Sequence, residues 1–287
     1  MLEILTATST REAINLLTPK KSTPLHLALE SGAIDCAEIL LRKGADVNML
    51  DSSGDTVLHK AALGGNAAII NLLISQWGAA FDRPNQRGEL PIHYAALRGD
   101  HETIALLASL KANLEVATPA GNRPLHIAAS SGHARAVYTL LSRGVDPQPS
   151  NRANESPLAL AVKAGAPVCV KAILYHFFKR KISAPTSSSA RCTTPLHLVA
   201  FNGNIECLVL LIRARFGALD AQDANGDTPL HLAVRHRNQL CAETLLRAGA
   251  SPSVPNNAQQ TPFDQAKATK HTGLINLFSL DLGIVGK

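Results

Sequence analysis

Along the chain, short apolar stripes at helical spacing alternate with polar, glycine-punctuated turns. Leu25 and Ala28 are three residues apart and share one helix face. Thr23 before them is a natural N-cap, and Pro24 suits the first helical position, where its missing N–H would be unpaired anyway. Gly32 offers a left-handed stop at little cost. A second helix is predicted from about Asp35 to Arg42, carrying Leu40 and Leu41 and stopped at Gly44. Asp46 to Gly54 then reads as an extended turn, with Gly54 at its tight point.

The same pattern returns along the sequence. Thr23-Pro24-Leu25-His26-Leu27-Ala28 recurs as Thr56-Val57-Leu58-His59-Lys60-Ala61, as Leu90-Pro91-Ile92-His93-Tyr94-Ala95 and as Arg123-Pro124-Leu125-His126-Ile127-Ala128. Ser156-Pro157-Leu158-Ala159-Leu160-Ala161, Thr194-Pro195-Leu196-His197-Leu198-Val199 and Thr228-Pro229-Leu230-His231-Leu232-Ala233 follow, and Thr261-Pro262-Phe263-Asp264-Gln265-Ala266 is a worn eighth copy. Successive fourth positions lie 33, 34, 33, 33, 38, 34 and 33 residues apart.

With these motifs the sequence resembles the ankyrin-repeat family over about residues 22–270. The resemblance implies an all-α solenoid of seven to eight stacked helix-turn-helix repeats with extended turn fingers. Helices this short are marginal alone, so stability is expected to arise between repeats. Residues 1–21, with Ile4, Ala13, Ile14, Leu16 and Leu17, read as a capping partial repeat. In residues 271–287, Leu274, Ile275, Leu277 and Phe278 suit a capping helix. The apolar tail of Leu280, Leu282, Ile284 and Val285 either folds back or continues into a longer protein.

Histidines recur once per repeat at 26, 59, 93, 126, 197 and 231. The resemblance implies that they bond across the turn and to the neighbouring repeat, a structural role. Ala159 and Asp264 depart from the pattern, so the fifth and last repeats are expected to be tied less tightly.

Composition narrows the function classes. The 287 residues are 46% hydrophobic, enough for a core, but only 17% charged and 4% aromatic, so that core must rest on small aliphatic contacts. The formal charge of +6 is a mild bias towards acidic partners rather than a nucleic-acid signature. Five cysteines, with no CxxC pair, suggest neither disulfides nor a zinc knuckle and fit a reducing compartment. Cys36, Cys207 and Cys241 fall in second helices, as small buried hydrophobes would. No apolar run reaches the ~18 residues of a membrane span, and residues 1–20 do not read as a signal peptide. No P-loop, GxSxG or HExxH occurs, and no cysteine has an evident base, so no catalytic, cofactor or metal site is expected.

An array of this family implies a binding scaffold with a concave face made of turn tips and the exposed ends of the first helices. Here that face comprises Arg87, Leu97, Arg98, Lys163, Phe201, Asn202, Arg235 and His236. Apolar anchors interleaved with cations suit an acidic, partly apolar protein segment. A second candidate is the long, basic, aromatic second helix of the fifth copy, with Tyr175, Phe178, Lys179, Arg180 and Lys181. The period stretches to 38 there, through a Ser-rich insertion near 179–191. Its plain reading is a longer helix with a surface turn, and its sharper one a docking element. Trp77, the only tryptophan, reads as turn filling or core packing.

The expected function is a monomeric, cytoplasmic, non-enzymatic interaction scaffold: an adaptor, an inhibitor or a bacterial effector working in the host cytosol. The alternatives are a regulatory module of a larger protein, or a binder of nucleic acid or anionic lipid.

Overall fold

The computed structural model describes residues 14–181, 193–268, 270 and 272–281. Among them all regular structure is helical. The chain divides into two compact units, residues 1–157 and 158–287.

In the first unit the helices come in pairs: α1 (Pro24–Glu30) with α2 (Ile34–Arg42), α3 (Val57–Gly64) with α4 (Ala67–Ser75), α5 (Pro91–Arg98) with α6 (His101–Ser109), and α7 (Pro124–Ser130) with α8 (Ala134–Ser142). First helices pack on first helices, α1 on α3, α3 on α5 and α5 on α7, while α4 packs on α6 and α6 on α8. Leu25, Leu58, Ala95 and Leu125 are fully enclosed between layers. Each such leucine contributes roughly 1.5–3 kcal/mol. At Gly64 the layers come so close that a Cβ would run into the Leu29 carbonyl oxygen.

The second unit holds α9 (Pro157–Lys163), whose first residue closes the first unit, and α10 (Pro167–Lys179). There follow α11 (Pro195–Asn202), α12 (Ile205–Arg213), α13 (Pro229–Arg235), α14 (Gln239–Arg247), α15 (Pro262–Ala268) and α16 (Thr272–Asp281). Helix α11 packs on α13 and α13 on α15, while α10, α12, α14 and α16 form the other layer. In α16, Leu274 and Phe278 are fully buried, with the Phe278 ring against Phe263. The expected tail contacts of Leu282, Ile284 and Val285 lie outside the described residues.

The histidines tie the layers together. In each of the six, Nδ1 accepts the N–H of the residue three before it: Thr23, Thr56, Leu90, Arg123, Thr194 and Thr228. Nε2 then donates to a backbone carbonyl of the next finger: Asp55, Glu89, Val116, Glu155, Asp227 and Gln260. An Nδ1 facing an N–H and an Nε2 facing a carbonyl require the neutral Nε2–H tautomer. Burial lowers the pKa of all six below the usual value, against smaller opposing contributions from those backbone bonds.

Asp264 keeps only the local half of this arrangement. Its Oδ2 accepts from the Thr261 N–H at 3.1 Å and from the Thr261 hydroxyl at 2.7 Å. A carboxylate has no proton to donate onward.

Two expectations need correction. Leu16 and Leu17, assigned to the N-terminal cap, are exposed, because they follow the helix end in irregular chain, whereas Ile14 is buried; Ile4 and Ala13 lie outside the described residues. Cys36 is only half-buried, because its neighbour Ala37 takes the enclosed place, whereas Cys207 and Cys241 are buried. Cys169 joins them in the core of its unit. Of the two readings of Trp77, the turn position holds, since it follows α4 and is partly exposed.

Candidate protein-interaction face

In the first unit, α1, α5 and α7 present their last residues outward, whereas Gly64 at the end of α3 is packed. Leu97 and Arg98 end α5 and are exposed, Leu97 by 50%. They are held by the next layer, since His133 Nε2 donates to the Leu97 carbonyl at 2.9 Å. Arg87, at a finger tip, is already engaged. Its Nε lies 3.0 Å from Glu89 Oε2, and its Nη2 donates to the Tyr94 hydroxyl at 2.7 Å.

Beneath Arg87 lies a buried polar cluster that sequence reading missed. Lys60 Nζ sits 2.9 Å from Asp55 Oδ2 and 3.0 Å from Asp51 Oδ2. Asp55 Oδ1 accepts from Asn85 Nδ2 at 2.7 Å and from the Tyr94 hydroxyl at 3.1 Å. The Tyr94 ring meets His59 edge-on, 5.4 Å between centroids. Burial works against the charges of Asp55 and Lys60, but the Asn85 and Lys60 bonds outweigh it at Asp55 and lower its pKa, and the Asp55 and Asp51 bonds outweigh it at Lys60 and raise its pKa. Burial, followed by the Asp55 charge, pushes the Tyr94 hydroxyl up to about 12. A signal was present: Lys60 and Tyr94 stand where Leu27, Ile127, Leu198 and Leu232 stand in other copies. Only the folded fingers show that two aspartates wait there.

In the second unit, Phe201 is exposed by 50% near the end of α11 and meets the His236 ring of the next layer at a tilt of 53°, centroids 4.1 Å apart. Asn202 ends the same helix and is exposed. Asn238 Nδ2 holds the arrangement by donating to the carbonyls of Ala200 at 2.7 Å and Phe201 at 3.0 Å. Arg235, expected as a groove cation, is committed elsewhere. Its Nη2 lies 2.7 Å from Asp227 Oδ2, a fully buried carboxylate that also accepts from Asn256 Nδ2 at 2.8 Å. The Arg235 contact is ionic rather than a directed hydrogen bond. Lys163 ends α9 and is exposed. Structure therefore brings Phe201 and His236 together, with Arg235 and Asn202 next to them in sequence.

At the secondary candidate, Tyr175, Phe178, Lys179, Arg180 and Lys181 are all exposed. The Ser-rich insertion from 182 to 192, which includes Cys192, lies outside the described residues.

Two stacked helical layers, a per-layer histidine bridge and paired fingers are the framework of one fold. A family profile for ankyrin repeats in three copies matches residues 1–85, 78–151 and 158–256. The chain belongs to the ankyrin-repeat family. Ankyrin repeats are in general non-catalytic protein-interaction modules. Similar proteins include the nuclear factor NF-kappa-B p105 subunit of Rattus norvegicus, 34% identical over 116 residues, 40% of this chain and 12% of that one. The ankyrin chain is 37% identical over 100 residues to inversin of Gallus gallus, 35% of this chain and 9% of inversin. It is 30% identical over 109 residues to the phosphocholine transferase AnkX of Legionella pneumophila, 37% of this chain and 12% of the transferase. The chain thus spans about a tenth of each of these relatives. Among the described residues no helix is long and apolar enough to cross a membrane, and no group of His, Cys, Asp and Glu is arranged to hold a metal ion.

Proposed function

We propose that this chain is a non-enzymatic scaffold that binds an acidic, partly apolar segment of another protein. The observation that carries the reading is the exposed Phe201 ring in tilted contact with His236 at the ends of α11 and α13. A preordered aromatic pair is a low-entropy anchor, and aromatic anchors dominate protein interfaces. Leu97 with Arg98 offers a second apolar group beside a cation in the first unit. We read residues 22–270 as an array of seven to eight repeats, with 1–21 and 271–287, which carries α16, as caps.

Four described cysteines are free thiols, which supports a reducing compartment, and the chain is read as a cytoplasmic, monomeric adaptor or inhibitor. The partial likeness to the Legionella transferase keeps a bacterial effector acting on host proteins within the same reading.

The test is quantitative affinity purification with Phe201→Ala combined with Arg98→Glu. The pair should lose the wild-type partner at least about thirtyfold, since truncating an anchor costs about 2 kcal/mol or more. The melting temperature should stay within a few degrees. Retention of every wild-type partner by this folded variant would refute the assignment.

A further inference from the structure

The excess positive charge of the chain lies in one unit. Residues 158–287 contain 14 Lys and Arg against 7 Asp and Glu, whereas residues 1–157 contain 14 against 15. Several acids of the second unit are consumed internally. Asp227 is enclosed with Arg235 and Asn256, Asp223 accepts the Asp227 N–H, and Asp220 accepts the Ser251 N–H. These bonds leave the carboxylate charges in place, and the Asp227–Arg235 pair takes up one charge of each sign, so the unit keeps its formal excess of +7.

The cations gather at one place. Helix α10 has 13 residues where its neighbour α12 has 9, so it carries an added turn, His176 to Lys179. Phe177 in that turn is buried against Phe216, centroids 5.3 Å apart, which sets the two helix ends side by side. Lys179, Arg180 and Lys181 beside α10 and Arg213 and Arg215 beside α12 are exposed there. Phe178 projects among them, 82% exposed, and Val168, Lys171, Tyr175 and Phe178 form one exposed stripe along α10. Burial, and then the charges of Arg180 and Lys179, lowers the pKa of His176.

We infer that this tip is a docking surface for an anionic phospholipid bilayer. Cations at helix C-termini stabilise the helix by themselves, but that does not account for a phenylalanine left in water. The tip is a projecting anchor rather than a groove. The shallow cavity between α10 and α12 lies at the opposite ends of the helices, lined by Pro167, Val168, Lys171, Ile205, Val209 and Leu210. A protein hot spot needs a packed pocket in its partner. A fluid bilayer interface accepts an aromatic anchor without one, and each Lys or Arg near an anionic leaflet adds about fivefold to binding. The surface is separate from Phe201 and His236, so it can hold the scaffold at a membrane while another protein is bound.

Vesicle co-sedimentation of the intact chain tests this, with phosphatidylcholine vesicles against phosphatidylcholine containing phosphatidylserine. Binding should require phosphatidylserine. Replacing Lys179, Arg180 and Lys181 together by Glu should weaken it by at least about thirtyfold, and Phe178→Ala by roughly fivefold. Both variants should melt with the wild type, because these side chains are exposed. Phe178→Trp in a Trp77→Phe background should keep binding, with its emission shifted to the blue on the vesicles. Phe201→Ala with Arg98→Glu should sediment like the wild type. Equal binding to both vesicle types, or an unaffected triple variant, would overturn the inference. So would an acidic protein partner lost by the triple variant when the wild type ignores the vesicles.

Discussion

His59 and Glu89 are joined across thirty residues by an Nε2–H donated to a backbone carbonyl at 2.9 Å. The bond exists only in the neutral tautomer that also lets Nδ1 accept the Thr56 N–H. Five other histidines repeat it. Their folded pKa values lie below the ordinary value near 6.5, so the unfolded chain binds more protons as the solution is acidified. The contribution is fully present above about pH 6.5 and is lost as pH falls towards the folded values. The melting temperature should be flat between about pH 7 and 8 and drop steadily towards pH 5, measured by circular dichroism. A rise over that interval would contradict the neutral tautomer.

Replacing a single bridge isolates its worth. His197→Ala should cost about 1–3 kcal/mol, because the Thr194 N–H and Asp227 carbonyl lose their shared partner in the interior. It should also flatten the acid slope, because one histidine with a lowered pKa is removed. Denaturant titrations at two pH values would measure both, and an unchanged slope would count against the linkage.

Lys60 neutralises two buried carboxylates, Asp51 and Asp55. Lys60→Ala should therefore destabilise by about 3–5 kcal/mol, the range for stranding a buried charge. Lys60→Leu with Asp51→Asn and Asp55→Asn, which removes the charges together, should recover much of that. Urea midpoints decide the matter: a Lys60→Ala variant within 1 kcal/mol, on the order of a surface change, would show that the cluster is wet.

Gly64 sits where α3 meets the α1 backbone, and the added methyl of Gly64→Ala has no room beside the Leu29 carbonyl. A loss of about 1–3 kcal/mol is expected. Helix propensity alone predicts a gain, since alanine exceeds glycine by about 1 kcal/mol, so the sign of the measured change separates packing from propensity.

Thiol reactivity should follow burial. Desolvation pushes Cys169 and Cys207 up to about 11 and raises Cys241 as well. Cys36, half-buried, should be alkylated first among these four in the native protein, as read by peptide mapping. Faster labelling of Cys207 than of Cys36 would mean that the second unit opens readily.

The sequence by itself determined the helices, their order and their stacking. A motif returning at 33 or 34 residues fixes local structure through Thr-Pro caps and left-handed glycines, and every layer solves the same local problem. It also marked the exposed helix ends, because Leu97 and Phe201 stand at a fixed place in the period. Tertiary structure alone decided what those residues touch. Phe201 meets His236 and Tyr94 closes on Asp55, 35 and 39 residues apart, while Arg235 turns to Asp227 and Lys60 to Asp55, charges hidden in the fingers. Periodicity states which face a residue occupies. Which partner neutralises a charge depends on distances between neighbouring layers, and those exist only once the layers are stacked.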